Sequence, residues 1–429
     1  MKVAVYTLGC KVNTYESEYV IKEFVKRGYT LTDFSDPNAD VYLINTCTVT
    51  NTSDQKSRKM IRQARKKNKD AVVVAMGCFT QIRNNDNQIM DFVDVVIGNK
   101  DKSRIVDLTE DFIKNKRKIT NIEDITKADF DDMEISYFNT RTRALVKIED
   151  GCENFCSYCI IPYVRGRVRS KKPERVIEEV KRLVKNGYKE IVLTGIHTGH
   201  YGADLKDYDF SDLLLELEKI DGLDRIRISS IEITELNDKF LSVLRKSKKI
   251  VNHIHIPLQA GSDHILKLMN RKYDKKYYLD KINKIREIRP DMAVTTDVIV
   301  GFPLESDCDF NETIAFVKEV SFAGGHVFPF SRRDGTPAAK MSGQITKEEK
   351  HKRCKELISV FDSLEESYYK KHIGCTLTII AETYEDGTLI GHTDNYLKVR
   401  FKGPEKLLGS EVNVKLSEYK DKMLFGEVK

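Results

Sequence analysis

EDGCENFCSYCIIPYVRGRVRS, residues 149–170, is the stretch on which the fold turns. Cys152, Cys156 and Cys159 stand in it as CxxxCxxC, directly after an apolar run that reads as a strand. Three soft thiolates on one short loop suit a cubane iron–sulfur cluster held at three irons, with the fourth iron left open to a small molecule. A structural zinc site calls for a fourth Cys or His close by, and this loop has none.

Outward from the loop the chain alternates. ALVKIED, KEIVLTGIH, RIRISSIE, HIHIPLQ, AVTTDVIVGF and GGHVFPFS read as strands, with amphipathic helical stretches such as PERVIEEVKRLVKNG between them. Six such units predict an open six-fold (β/α) barrel over residues 139–370, since a closed eight-fold barrel needs two more. Ligands collect at the carboxyl ends of parallel strands. Gly195, Glu232, Gln259, Ser262 and Gly301 fall at such ends, with Asp297 just upstream, and together they predict a cofactor pocket. Glu232 suits ribose hydroxyls or an ammonium group. His253 and His255 share one strand face, which fits a core or rim role better than metal binding.

Residues 1–112 repeat the alternation. KVAVYTL, ADVYLINT, AVVVAM and VDVVIG predict a parallel α/β sheet. Three of these runs finish on a cysteine: TLGC at Cys10, NTC at Cys47 and MGC at Cys78. Helical crossovers bring such strand ends to one edge of the sheet, so cysteines far apart in sequence converge there. Core filler has no reason to prefer strand ends. The three thiolates therefore predict a second cluster of the same type. Cys308, Cys354 and Cys375 have no cysteine neighbour and read as structural.

Residues 113–138 are charged and weakly periodic and read as a linker. Residues 371–429 hold short strands between Gly, Asp and Asn turns, which predicts a small antiparallel β-barrel. That block has nine basic and nine acidic residues, so any nucleic-acid binding must use one face. The net charge of +6 over 429 residues permits a polyanionic partner without demanding one. Two basic stretches suit phosphates: KSRKMIRQARKKNK (56–69), and Arg165, Arg167 and Arg169 after the loop. No apolar run approaches a membrane span, and no signal peptide is evident, so the expected compartment is the cytoplasm.

The CxxxCxxC loop resembles that of the radical S-adenosylmethionine superfamily. There the open iron chelates the methionine part of S-adenosylmethionine, and Tyr158 matches the aromatic expected near the adenine. With Cys10, Cys47 and Cys78 added, the whole chain resembles the radical methylthiotransferase family, whose C-terminal TRAM domain is matched by GHTDNYLKVRF. TLGCKVN, TGIHTGHYG and HVFPFSRRDGTPAA look most like its MtaB branch. The resemblance implies two 4Fe–4S clusters and two uses of S-adenosylmethionine. One gives its methyl to sulfur at the Cys10, Cys47 and Cys78 site. The other gives a radical that takes hydrogen from carbon 2 of N6-threonylcarbamoyladenosine at position 37 of tRNA. It also implies a tRNA anticodon stem-loop as partner, an external electron donor, a sulfur source and no membrane. Competing readings keep the chemistry but take N6-isopentenyladenosine or a ribosomal protein aspartate. A non-enzymatic reading is an electron carrier with an RNA-binding tail, which needs neither open irons nor a polar-rimmed barrel. GFPLES departs from the family pattern, with Leu304 where glycine is usual.

Overall fold

The computed structural model describes residues 1–83, 85–138 and 142–429. The N-terminal sheet comprises β1 (Lys2–Thr7), β2 (Thr30–Thr32), β3 (Val41–Thr46), β4 (Val72–Gly77), β5 (Val95–Ile97) and β6 (Ile119–Asn121). Its order is β2-β1-β3-β4-β5-β6, and every pairing is parallel. β3 and β4 are buried along their whole length, as their unbroken apolar runs require when helices cover both faces. Two strands depart from expectation. β2 is only TLT, and β6 falls inside the stretch read as a linker. Such three-residue strands carry too little hydrophobic pattern to read. β6 is fixed by backbone bonds instead, with Ile119 N–H donating to Asp94 O at 2.9 Å. Residues further along that stretch, Met133, Ile135 and Phe138, are buried in the barrel's core. The segment is a strap between two cores rather than a free linker. Residues 139–141, where the barrel domain was expected to begin, lie outside the described residues.

The six barrel strands form where the sequence places them. β7 (Arg143–Lys147) is followed by a small antiparallel pair, β8 (Glu149–Asp150) with β9 (Arg169–Ser170), which brackets the cysteine loop. Then come β10 (Glu190–Thr194), β11 (Arg225–Ile228), β12 (His253–His255), β13 (Ala293–Val300) and β14 (Gly324–Pro329). Two parallel three-stranded arcs, β11-β10-β7 and β12-β13-β14, meet at a bridge between Ile226 and Ile250. Among the described residues β7 and β14 do not pair, so the barrel is open there. The N-terminal helix Lys11–Lys26 packs beside β7.

The last block is a closed barrel of β15 (Thr376–Glu385), β16 (Thr388–Thr393), β17 (Lys398–Lys402), β18 (Glu411–Lys420) and β19 (Met423–Val428), ordered β15-β16-β17-β19-β18. The β17–β19 pair is parallel and closes the ring; the other pairs are antiparallel. It sits on the amino-terminal ends of the large barrel's strands. Arg225 Nη2 donates to Thr378 O at 3.1 Å, and Asn252 Nδ2 to Asp394 Oδ2 at 2.8 Å.

Candidate functional site

The three N-terminal cysteines occupy three strand-to-helix turns on one sheet edge. Cys10 caps the helix Lys11–Lys26, Cys78 opens the helix Cys78–Arg83, and Cys47 lies three residues before Thr50, the cap of the helix Asn51–Lys67. Helix amino ends favour the negative charge of thiolates and of a cluster bound by them. Gly9 and Gly77 make the turns tight enough, both at φ +106°. A Cβ on Gly9 would lie 2.8 Å from Asn13 Nδ2 and 3.2 Å from Cys47 Cβ. A Cβ on Gly77 would lie 2.7 Å from Thr46 O.

Burial pushes the Cys10 and Cys47 thiols up, and the neighbouring cysteines add to this in each case. Cys10 is accessible only because it lines a large internal cavity, which reconciles its exposed surface with its depth. Buried thiols crowded so that each disfavours charge on the next release protons when a metal takes the charge. All nine cysteines are free. The donor set therefore fits an iron–sulfur cluster.

The second trio sits on the loop between β8 and β9. Cys152 N–H donates to Gly166 O at 3.0 Å and Cys159 N–H to Cys156 O at 2.9 Å, so the loop is shaped by its own backbone. Gly151 is obligatory, because a Cβ there would lie 1.9 Å from Arg167 O. Burial raises the Cys152 thiol and pushes Cys159 up to about 12, again with help from neighbouring sulfurs. Arg271 Nη1 donates to Cys156 Sγ at 3.2 Å, and its Nη2 contacts Glu232. His197 Nδ1 is 3.7 Å from Cys152 Sγ, and its Nε2 faces Glu235. Burial lowers His197 to about 4 and raises Glu235 to about 7.

The residues expected at the rim fall into three groups. Gly195 lets Glu149 approach; a Cβ there would be 2.6 Å from Glu149 Oε2. Glu232 and Gln259 lie beyond the ends of β11 and β12, with Gln259 N–H donating to Asp297 O at 2.8 Å. Gly301 turns at φ +69° as β13 ends, and its N–H donates to Glu305 Oε2 at 2.7 Å. Tyr158 packs edge-on to Phe302, with ring centroids 6.5 Å apart. Ser262 is fully buried and its hydroxyl is committed to Asp309 Oδ1 at 2.7 Å, so it braces a helix start. Asp297 is mid-strand and faces the cavity, with His255 Nε2 at 3.3 Å.

The arginines need a correction. Only Arg167 is exposed; Arg165 has no exposed surface and Arg169 is 5% exposed. Neither buried arginine can reach RNA phosphates. Arg169 Nη1 donates to Arg165 O at 2.8 Å. Arg165 Nη1 bonds Asp150 at 3.0 Å and Glu16 at 3.1 Å, and its Nη2 donates to Asn13 Oδ1 at 2.8 Å. Its Nε donates to Cys78 Sγ at 3.2 Å. One guanidinium thus joins the helix just after Cys159 to a cysteine of the other trio. Glu16, fully buried, also holds Lys102 at 2.6 Å and Lys147 at 2.9 Å. Burial pushes its carboxyl up, but Arg165, Lys102 and Lys147 outweigh this and hold it well below the usual range. Arg333 makes a second tie near Cys47, donating to Thr48 Oγ1 at 2.6 Å and Asn51 Oδ1 at 2.7 Å. Sequence reading missed Arg271, His197, Glu235, Glu16 and Arg333. No local spacing marks them, and only packing brings them to the cysteines.

The cavity has a volume of about 1090 Å³ and runs from Cys10 and Gly195 through the barrel lumen to Tyr396 and His392 of the small barrel. It joins all three domains. The basic helix Asn51–Lys67 spends Arg58 on Asp86 and Arg65 on Asp94. Arg62, Lys59 and Lys66 line a shallow groove on its face.

The radical SAM superfamily profile matches residues 146–317, "Uncharacterized protein family UPF0004" residues 2–98, and the TRAM domain residues 375–429. The chain is 46% identical to the threonylcarbamoyladenosine tRNA methylthiotransferase MtaB of Bacillus subtilis, over 96% of this chain and 93% of that one. It is 38% identical to the Aquifex aeolicus MtaB, over 94% and 97%. Its identity to a tRNA-2-methylthio-N(6)-dimethylallyladenosine synthase of Clostridium botulinum is 36%, over 98% and 95%. Among solved structures, the radical S-adenosylmethionine methyltransferase TsrM of Kitasatospora setae shares the fold. Its TM-score is 0.58 at 12% identity, over 79% of this chain and 76% of that one. No described helix is long and apolar enough to cross a membrane. With 46% identity to a curated relative over 96% of its length, the chain belongs to the radical SAM methylthiotransferase family, in its MtaB branch.

Proposed function

We propose that this chain places a methylthio group on carbon 2 of N6-threonylcarbamoyladenosine at position 37 of tRNA, using one 4Fe–4S cluster at Cys10, Cys47 and Cys78 and another at Cys152, Cys156 and Cys159. The carrying observation is Arg165, a buried side chain on the helix that follows Cys159, which donates to Cys78 Sγ and to Asp150 just before the second cysteine loop. When bound, the clusters and S-adenosylmethionine supply a methylated sulfur and a 5′-deoxyadenosyl radical, chemistry that side chains cannot provide. The protein's part is positional. Arg271 directs an N–H at the sulfur of Cys156 and the His197 ring stands against Cys152 Sγ, which orients the loop and tunes its electronics. Glu232, steadied by Arg271, and Gly195 shape the cofactor side of the cavity. Arg167 and the exposed cations of the helix Asn51–Lys67 offer phosphate contacts that position the RNA. The target base must leave its stack to enter the cavity. The electron donor and sulfur source are external.

Nucleoside mass spectrometry of tRNA from cells with and without the gene tests this reading. The 2-methylthio derivative of threonylcarbamoyladenosine should disappear in the deletion. Loss of the dimethylallyl derivative instead would move the substrate to the other tRNA branch. Reconstituted protein should hold ~8 irons per chain, and Cys10→Ala should hold about half.

A further inference from the structure

The cavity between Cys10 and Tyr396 is furnished for an acidic, hydrogen-bonding group. Lys11 lines it and makes no hydrogen bond or ion pair among the described residues. Arg143 and Arg227 also face it, but they are compensated: Arg143 Nη2 lies 3.3 Å from Glu382, and Arg227 Nε 2.6 Å from Glu190.

Two further polar atoms in the same wall have no partner among the described residues: Asp297 Oδ1 and His253 Nδ1. His253 is 9% exposed, so its unmet nitrogen is nearly sealed from bulk water. Opposite stands Tyr396 from the small barrel, held at φ +68°. A non-glycine residue in that region costs about 1–2 kcal/mol and persists where the surroundings force it. Here the His392 and His253 rings lie 4.8 and 4.9 Å from the Tyr396 ring, and the Arg227 guanidinium 4.9 Å.

A purely hydrocarbon substituent would leave Lys11, Asp297 and His253 unmet in a confined space, with the desolvation cost that entails. Sites built to hydrogen-bond reject analogues that lack the partner groups. We propose that Lys11 is a specificity-determining residue whose ammonium takes the carboxylate of an acidic N6 substituent on the target adenosine, while Asp297 Oδ1 accepts from an N–H of that substituent. This rests on the threonylcarbamoyladenosine reading above and names the residues that enforce it.

The test uses the reconstituted full-length enzyme and two synthetic anticodon stem-loops. One carries N6-threonylcarbamoyladenosine, the other its threonine methyl ester, which removes only the negative charge. The wild type should show a KM at least ~10-fold lower for the acid, the scale of one charge-assisted hydrogen bond. Lys11→Gln should raise the KM of the acid by about that factor and leave the ester's within about twofold. Lys11→Arg should restore the preference. Because Lys11 adjoins Cys10, a damaged cluster would slow both substrates alike, so the acid-to-ester ratio isolates recognition. An unchanged ratio in Lys11→Gln overturns the assignment, as does a wild type that treats acid and ester equally while still methylthiolating both. A wild type that modifies neither overturns the functional reading and this inference with it.

Discussion

Arg165 shows how a residue's role is decided by what surrounds it. Arg165, Arg167 and Arg169 are indistinguishable in sequence, spaced two apart after the cysteine loop. Gly166 turns the chain at φ +73° between the first two, leaving Arg165 inside and Arg167 outside. The six cysteines were legible because each follows a recognisable strand or sits in a tight spacing. The arginine was not, because its partners Glu16, Asn13 and Cys78 are remote in the chain. Arg165→Ala leaves Asp150 with Lys147 as its close cation and Glu16 with its two lysines, and opens a buried gap where the guanidinium stood. It should cost about 3 kcal/mol or more, measured by denaturant unfolding of the metal-free protein. Arg165→Lys keeps the charge but removes the Nε–H at Cys78 Sγ, and should lower the reduction potential of the N-terminal cluster in a redox titration. Leu304 is the opposite case. Sequence marks it as unusual, and the structure gives the reason: it sits at φ +68° with 45% of its surface exposed. Leu304→Gly relieves left-handed strain and should stabilise the protein by about 0.5–1 kcal/mol after glycine's entropy cost, read as a higher Tm.

Among elements, long buried strands and amphipathic helices could be read directly, and short ones could not. β2 and β6 exist because neighbouring backbones offer unpaired groups, a cause no residue pattern records. Turns were legible where glycine preceded cysteine. Gly9→Ala or Gly77→Ala should cost at least about 1–2 kcal/mol from the left-handed backbone alone, and iron content should fall toward that of one cluster. The helix Asp307–Val320 offers a pH readout away from the cysteines. Burial pushes the Asp309 carboxyl up, but hydrogen bonds from Ser262 and Ser306 outweigh it and hold it at about 2. Its folded value lies below the ~4 of an unfolded aspartate. The stability it contributes is therefore complete above about pH 4 and fades as pH falls toward about 2. Asp309→Asn should flatten that part of the stability–pH curve in urea unfolding of the metal-free protein.

At the scale of the whole molecule, the sequence revealed three blocks but not how they meet. Domain docking uses single polar residues, such as Arg225, Asn252 and Arg333, that look like ordinary surface positions. The RNA face follows from what docking leaves uncovered. Replacing Lys59, Arg62 and Lys66 together by Gln should reduce the slope of log binding constant against log salt by about 2–3, measured by titrating tRNA at several salt concentrations. The ion-pair knot around Glu16 also has a consequence for biogenesis. Of its three cationic partners, only Lys102 belongs to the N-terminal sheet domain; Lys147 and Arg165 come from the barrel. During synthesis the N-terminal domain leaves the ribosome first, with a buried carboxylate only partly neutralised and Cys78 lacking its guanidinium neighbour. That domain reaches its final form only after residue 165 has emerged.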